Sequence, residues 1–144
     1  MPDSGHVYAD ANVAIYSVDR HPTYAPVCAP LWRATQGGTV QVVSSELILL
    51  ETLVGPLRNG DAVLAARREA LWRRADTRLV PITRDVLREA ARLRARHTAL
   101  RTPDAFHAAT ALLSGCVLFV TNDPGFRRIL GLPLAILDEV VAAP

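Results

Sequence analysis

Residues 6–17 read His-Val-Tyr-Ala-Asp-Ala-Asn-Val-Ala-Ile-Tyr-Ser, and this stretch predicts a strand that passes directly into a helix. His6–Ala9 is a short β-type run. Ala11–Ser17 has helical character, and Asp10 stands before it at the N-cap, a position that aspartate favours. The stretch therefore predicts one β-α unit, and the rest of the chain repeats the pattern.

Short apolar runs alternate with longer helical segments along the whole chain, with Pro22 and Pro26 expected to break the chain before the second helix. Ser44 or Ser45 is expected to cap the third helix, and Gly55-Pro56 to end it. The further predicted strands are Val40–Val43, Leu79–Pro81, Cys116–Val120 and Leu134–Leu137. The further predicted helices are Pro30–Thr35, about 46–53, Ala62–Arg74, about 84–97, 102–115 and Pro124–Leu130. Strands separated by helices predict an α/β fold, a single three-layer α/β/α domain over residues 1–144 with a central, mainly parallel sheet.

The composition is that of an ordinary globular domain. The chain has 144 residues, of which 50% are hydrophobic and 21% charged, which suits one soluble domain with a normal core. Its apolar runs are too short to cross a bilayer, and its start does not resemble a signal segment, so we expect a cytoplasmic protein with no membrane partner. Cys28 and Cys116 lack the spacing of a disulfide framework or a zinc site.

Arginine supplies every one of the 16 basic residues. Arginine binds phosphate in a bidentate fork and stacks on bases, so this usage fits an RNA-binding surface, although a GC-rich gene would give the same bias. One set recurs every four residues and forms a stripe along a predicted helix. The stripe is either a solvated face or an RNA contact near Arg101; its members are Arg84, Arg88, Arg92 and Arg96.

Four acidic residues stand where apolar segments end: Asp10, Glu51, Asp104 and Asp123. The three aspartates each have a local explanation as a helix cap, a turn residue or a first-turn charge. Glu51 is harder to explain because its helix is almost wholly apolar around it. Glu46, five residues earlier, competes with Glu51 as the relevant acid, although a capping role suits it better.

Parallel strands bring their carboxyl ends to one edge of a sheet, where ligands of such folds bind. Asp10 and Asp123 both follow strands, and helices at that edge could bring in Asp104 and Glu51. Converging carboxylates repel one another unless a cation joins them, and oxygen ligands suit Mg²⁺ or Mn²⁺. Such a metal activates water against phosphodiesters, so the pattern indicates a nuclease site.

Four stretches in order make the chain resemble PIN-domain proteins of the VapC type, the toxins of type II toxin–antitoxin systems. They are Val-Tyr-Ala-Asp-Ala-Asn-Val-Ala-Ile-Tyr from residue 7, Ser-Glu-Leu-Ile-Leu-Leu-Glu-Thr-Leu-Val-Gly-Pro-Leu from residue 45, Leu-Arg-Thr-Pro-Asp-Ala-Phe-His-Ala-Ala-Thr-Ala-Leu from residue 100, and Phe-Val-Thr-Asn-Asp-Pro-Gly-Phe from residue 119. The chain departs from the family pattern at Phe106, where an aliphatic residue is more usual.

The resemblance implies a Mg²⁺- or Mn²⁺-dependent endoribonuclease whose catalytic and metal-binding residues are Asp10, Glu51, Asp104 and Asp123. It further implies that Asn12 and Thr121 support these acids. The implied partners are an RNA substrate, a cognate VapB-type antitoxin and a second copy of the chain in a homodimer. For His107, three residues after Asp104, we expect a structural or packing role, with a general base as the alternative.

Two other functions compete with this hypothesis. A phosphatase with Asp10 as an aspartyl nucleophile would need a second aspartate at position 12, where the chain has Asn12, and a lysine, which the chain lacks. A catalytically inactive PIN-like module that binds RNA or protein is the non-enzymatic alternative. Dinucleotide binding is excluded because no GxGxxG motif follows a strand.

Overall fold

The structure, a computed structural model, describes residues 1–144 and is built around a sheet of five parallel strands. The strands are β1 (Gly5–Ala9), β2 (Val40–Ser45), β3 (Thr77–Val80), β4 (Leu118–Thr121) and β5 (Leu134–Ile136), in the spatial order β3-β2-β1-β4-β5. The helices are α1 (Ala11–Val18), α2 (Tyr24–Gln36), α3 (Leu47–Arg58), α4 (Ala62–Ala70), α5 (Arg84–Arg96), α6 (Thr102–Leu113) and α7 (Leu137–Ala142). Two short 3-10 helices span Leu71–Arg73 and Pro124–Arg128.

Helices cover both faces of the sheet. Because successive strand residues point to opposite sides, each strand contributes side chains to the packing on both faces. On one side, Tyr8 and Phe119 pack with buried residues of α5 and α6. On the other side, Val7 and Ala9 pack with buried residues of α1, α2 and α7. The predicted three-layer α/β/α arrangement is therefore confirmed, and the sheet is parallel throughout. None of the helices is both long and apolar enough to cross a membrane.

The central strand β1 lies between β2 and β4, with Ala9 in register with Val120. Asp10 and Thr121 are therefore neighbours at the carboxyl edge of the sheet. A helix that precedes a parallel strand starts at that same edge, because the chain must return across the sheet before the strand begins. The start of α6, ahead of β4, is accordingly placed near Asp10.

Two helices extend past prolines that the sequence analysis expected to interrupt or end them. α2 begins at Tyr24 and contains Pro30, where we predicted a helix only from Pro30, and Pro26 falls in its first turn, where no N–H is needed. α3 continues to Arg58 through Gly55-Pro56. It does so because Ile48, Thr52 and Pro56 repeat every four residues and are all buried. Packing of that face outweighs the hydrogen bond that proline removes.

The remaining differences are smaller. β2 extends through Ser44 and Ser45, which we predicted as helix caps, although Ser45 Oγ does accept a hydrogen bond from the Leu47 N–H at 3.1 Å. α4 ends at Ala70 and continues as a 3-10 turn, and α7 was not predicted. The predicted N-cap Asp10 is confirmed by a side-chain hydrogen bond, and Asp61 and Thr83 cap α4 and α5 in the same way.

Candidate active site

Asp10 is a buried carboxylate at the point where β1 ends and α1 begins. Its Oδ1 accepts a hydrogen bond from the Ala11 N–H at 2.8 Å, and its Oδ2 accepts one from the Thr121 hydroxyl at 2.7 Å. The first contact is the expected helix cap, and the second joins β1 to β4. Thr121 thus holds Asp10 from the neighbouring strand.

Asp123 is linked to Asp10 through the same threonine. The Asp123 N–H donates to Thr121 Oγ at 3.0 Å, and Asp123 Oδ1 accepts from the Gly125 N–H at 2.8 Å. Glycine permits this approach, since a Cβ at residue 125 would lie 3.0 Å from Asp123 Oδ1. Asn12 Oδ1 accepts from the N–H of Asn122 at 3.2 Å, which ties α1 to the loop after β4.

Glu51 meets the site through a histidine rather than through another acid. It lies in the second turn of α3, and its carboxylate bonds to Nε2 of His107, whose side chain is only 1% exposed. The same nitrogen lies 3.8 Å from Asp10 Oδ1. Glu51 and Asp10 therefore face one imidazole, a relationship that the sequence analysis did not foresee.

Tyr8, on the central strand β1, contacts the other ring nitrogen of His107. The Tyr8 hydroxyl lies 2.5 Å from His107 Nδ1 and accepts a hydrogen bond from the Ser45 N–H at 3.0 Å. Burial raises the pKa of Tyr8 well above its ordinary value, so the phenol stays neutral. Because Tyr8 and His107 are 99 positions apart, no local signal in the sequence could pair them.

The pKa of His107 is raised although its burial alone would lower it. The hydrogen bond to Glu51, followed by the charge of Asp10, outweighs the cost of burying the imidazolium. The pKa of Asp10 is raised as well, chiefly by burial, and the charge of His107 only partly opposes this. The site thus holds a buried carboxylate whose charge is incompletely compensated, and another cation nearby would be favourable.

Asp104 stands in the first turn of α6, where it accepts a hydrogen bond from Arg101 Nε at 3.2 Å. This contact raises the pKa of Arg101, and the charges of Asp123 and Glu51 act in the same direction. Asp104 and Asp123 both line a cleft of about 410 Å³. Asp10 and Glu51 thus face His107, and Asp104 pairs with Arg101, at one edge of the sheet.

As they stand, the side chains do not form a ready-made metal cage. No group of three or more His, Cys, Asp or Glu side chains is arranged to hold a metal ion. The donor chemistry nevertheless fits a hard divalent cation. All four acids offer carboxylate oxygens, and the negative charge of the buried Asp10 is only partly compensated by the protein. Ligation would require these carboxylates to turn from their protein partners toward a common point.

The other predicted residues lie further from this network. Glu46 is exposed, takes the N-cap position of α3 and makes no capping bond with its side chain. The arginine stripe on α5 is exposed as well. Two of its members are paired with neighbouring acids, Arg88 with Asp85 at 3.2 Å and Arg92 with Glu89 at 3.1 Å.

The chain is similar to proteins of known family and structure. A family model described as the PIN domain matches residues 7–132. Among solved structures, VapBC2 from Rickettsia felis, bound to a DNA fragment from its promoter, is similar with a TM-score of 0.74 at 16% identity, covering 92% of this chain and 98% of that one. VapBC-1 from nontypeable Haemophilus influenzae gives 0.69 at 19% identity, covering 93% and 99%.

VapBC-5 from Mycobacterium tuberculosis, a member of the VapBC family of toxin–antitoxin systems, gives a TM-score of 0.59 at 25% identity, with 94% of this chain and 98% of that chain covered. No curated protein matches the chain in sequence. The resemblance drawn from the four sequence stretches is confirmed by the family match and by these structural neighbours.

Proposed function

The chain belongs to the PIN domain family, and from this premise we propose that it is a Mg²⁺- or Mn²⁺-dependent endoribonuclease that hydrolyses RNA phosphodiesters. The observation that carries the proposal is the buried, undercompensated carboxylate of Asp10 at the carboxyl edge of the sheet. A charge in that place is costly for folding, and cation binding gives it a function.

Three aspartates, Asp10, Asp104 and Asp123, would hold the cation, and Glu51 would join them directly or through a water. When bound, the metal would supply an activated water and neutralise charge on the phosphodiester. Water attack that displaces the 3′-oxygen leaves a 5′-phosphate and a 3′-hydroxyl.

The chain's own residues set the geometry for this chemistry. The Thr121 hydroxyl donates a hydrogen bond to the Asp10 carboxylate and accepts one from the backbone N–H of Asp123. One side chain therefore positions both acids. His107 holds Glu51 at the same edge. A route through the RNA 2′-hydroxyl would need two acid/base histidines, and His107 is instead buried between Glu51 and Tyr8.

The experiment is to map cleavage of RNA by the purified protein with Mg²⁺, with Mn²⁺ and with a chelator, alongside Asp10→Asn. Asparagine caps helices as well as aspartate does, so this variant removes the charge and keeps the cap. We expect metal-dependent products with 5′-phosphates from the wild type and none from Asp10→Asn. Full activity in the variant would exclude the assignment.

A non-catalytic PIN-like binding module is the second candidate, and one observation favours it. Glu51, Asp104 and Asp123 each already have a protein donor, namely His107, Arg101 and the Gly125 N–H. RNA binding without cleavage under either metal would support this candidate over the nuclease.

The structural neighbours are toxin–antitoxin complexes, which supports a toxin role in a two-protein system for this chain. We therefore propose a VapB-type antitoxin as its partner. Co-purification with the protein encoded beside it, and suppression of cleavage by that protein, are the expected results. The homodimer stays a prediction, and the exposed Leu50 and Leu57 on α3 are apolar surface available for it.

A further inference from the structure

A second cleft, of about 270 Å³, lies near the far end of α1. Three of its seven lining residues are arginines and none is acidic. The arginines are Arg20, Arg67 and Arg74, and Ser17 and Trp32 complete much of the wall. Like charges around a small cleft repel one another, so the arrangement favours an anion.

Two of these arginines have no counterion. Neither Arg20 nor Arg67 makes a salt bridge, whereas Arg68, next in sequence on α4, pairs with Asp19 at 2.6 Å and donates to the Thr52 carbonyl at 2.9 Å. Arg68 therefore has a structural role, whereas the guanidinium of its neighbour Arg67 remains available to bind a ligand.

The wall of the cleft is well fixed. Arg74 pairs with Asp76 at 2.5 Å, and its guanidinium carbon lies 5.4 Å from the ring centre of Trp32. The Trp32 indole N–H in turn donates to Ser17 Oγ at 2.9 Å. A rigid wall costs little conformational entropy when a ligand binds.

Arg20 is the one non-glycine residue with a positive φ, at 56°. This left-handed conformation ends α1, since the His21 N–H donates back to the Tyr16 carbonyl at 2.9 Å, and glycine is the usual residue at such a position. A glycine would suit the backbone better, so the side chain of Arg20 is the feature that needs an explanation.

We propose that this arginine cleft binds a backbone phosphate of the RNA substrate, some nucleotides away from the bond that is cut. The inference rests on the proposed nuclease function. α1 begins beside Asp10 and its eight residues rise ~1.5 Å each, which places the cleft roughly 12 Å along the helix from the acidic site. A few nucleotides of single-stranded RNA cover that distance, and guanidinium forks match phosphate oxygens.

The test measures binding of a fluorescently labelled single-stranded RNA at several salt concentrations, with a chelator present to prevent cleavage. The cleft variant is Arg20→Gln with Arg67→Gln. The matched control is Arg33→Gln with Arg58→Gln, which removes two exposed arginines that also lack salt bridges and lie outside the α5 stripe. Both changes lower the net charge equally.

We expect the cleft variant to bind RNA at least ten-fold more weakly at low salt. The slope of log K against log salt should shrink by about 0.7 for each phosphate that the protein no longer neutralises. The Arg33/Arg58 control should stay within two-fold of the wild type. Wild-type affinity in the cleft variant, or an equal loss in the Arg33/Arg58 control, would overturn the proposal.

Arg20→Gly separates binding from folding. Glycine relieves the left-handed backbone, so this variant should melt at the same temperature as the wild type or higher and still bind RNA more weakly. Unchanged RNA affinity in Arg20→Gly would count against the cleft. A polyglutamate peptide serves as a protein-like probe, and loss of its binding without loss of RNA binding would also overturn the proposal.

The outcomes also separate this inference from the proposed function. If the wild type cuts no RNA with either metal but the cleft variants lose RNA binding, the nuclease proposal fails and the cleft stands. If the wild type cuts RNA and the cleft variants bind and cut it equally well, the cleft alone is refuted.

Discussion

His107 bonds through Nε2 to the carboxylate of Glu51, a residue 56 positions away on a different helix. Through Nδ1 it also contacts the Tyr8 hydroxyl on the central strand. Glu51, the acid with the weakest local explanation in the sequence, therefore has a specific partner in the fold. Its position depends on β1 and α6 as much as on its own helix α3.

Tyr8→Phe tests this network with a minimal change. The ring would still stack on Phe119, at a centroid distance of 4.8 Å, but the Ser45 N–H and His107 Nδ1 would lose their buried partner. An unsatisfied buried group costs about 1–3 kcal/mol, so the free energy of unfolding in urea should fall by about that amount. Tyr16→Phe is the control, since its hydroxyl makes no hydrogen bond in the structure. Equal stability of the two variants would contradict the network.

The raised pKa of His107 predicts how stability depends on pH. The unfolded chain has the ordinary histidine value of 6.5, and the folded pKa lies above it. The folded state therefore binds the proton more tightly. Its contribution to stability is complete below pH 6.5 and is lost as pH rises through the folded pKa.

The free energy of unfolding in urea, measured for the wild type and for His107→Gln from below pH 6.5 upward, reports this pH dependence. The wild type should lose stability relative to the variant as pH rises. Parallel curves for the two proteins would mean that His107 does not carry the titration.

Asp10→Asn should stabilise the protein at neutral pH. Burial raises the pKa of Asp10 above 3.8, so ionisation of the carboxylate opposes folding once pH exceeds the folded pKa. Removing the charge while keeping the helix cap should add about 0.5–2 kcal/mol to the free energy of unfolding at pH 7. The gain should disappear below pH 3.8, where the carboxyl is protonated in both states. Thermal melts of the wild type and the variant at pH 7 and below pH 3.8 provide the measurement. A lower stability of Asp10→Asn at pH 7 would contradict the prediction.

Periodicity and strand order predicted the features that depend on local chemistry. Alternating strands and helices predicted the parallel three-layer fold, and strand ends predicted that Asp10 and Asp123 would lie at one edge of the sheet. The structure places the Thr121 hydroxyl between the Asp10 carboxylate and the Asp123 N–H there. The N-cap at Asp10 follows from the preference of aspartate for that position.

Features that depend on tertiary packing escaped prediction. α3 runs through Pro56 because that residue is buried against the rest of the fold, and a helix propensity cannot register this. The Tyr8–His107 contact joins residues 99 positions apart. The sequence predicts a packing role for His107, whereas its position between two carboxylates depends on how α3, α6 and β1 come together in the fold.

Two glutamates five residues apart provide the most direct test of whether the four carboxylates act as one cation site. Glu51→Gln removes the acid that faces His107 and Asp10, whereas Glu46→Gln removes an exposed acid at the N-cap of the same helix. The measurement is the rate of RNA cleavage over a range of Mn²⁺ concentrations for both variants and the wild type. Loss of a ligand or of its support typically costs about 10–100-fold, so Glu51→Gln should fall by at least that factor and Glu46→Gln should stay within about two-fold of the wild type. Equal rates for the two variants would contradict a single site that includes Glu51.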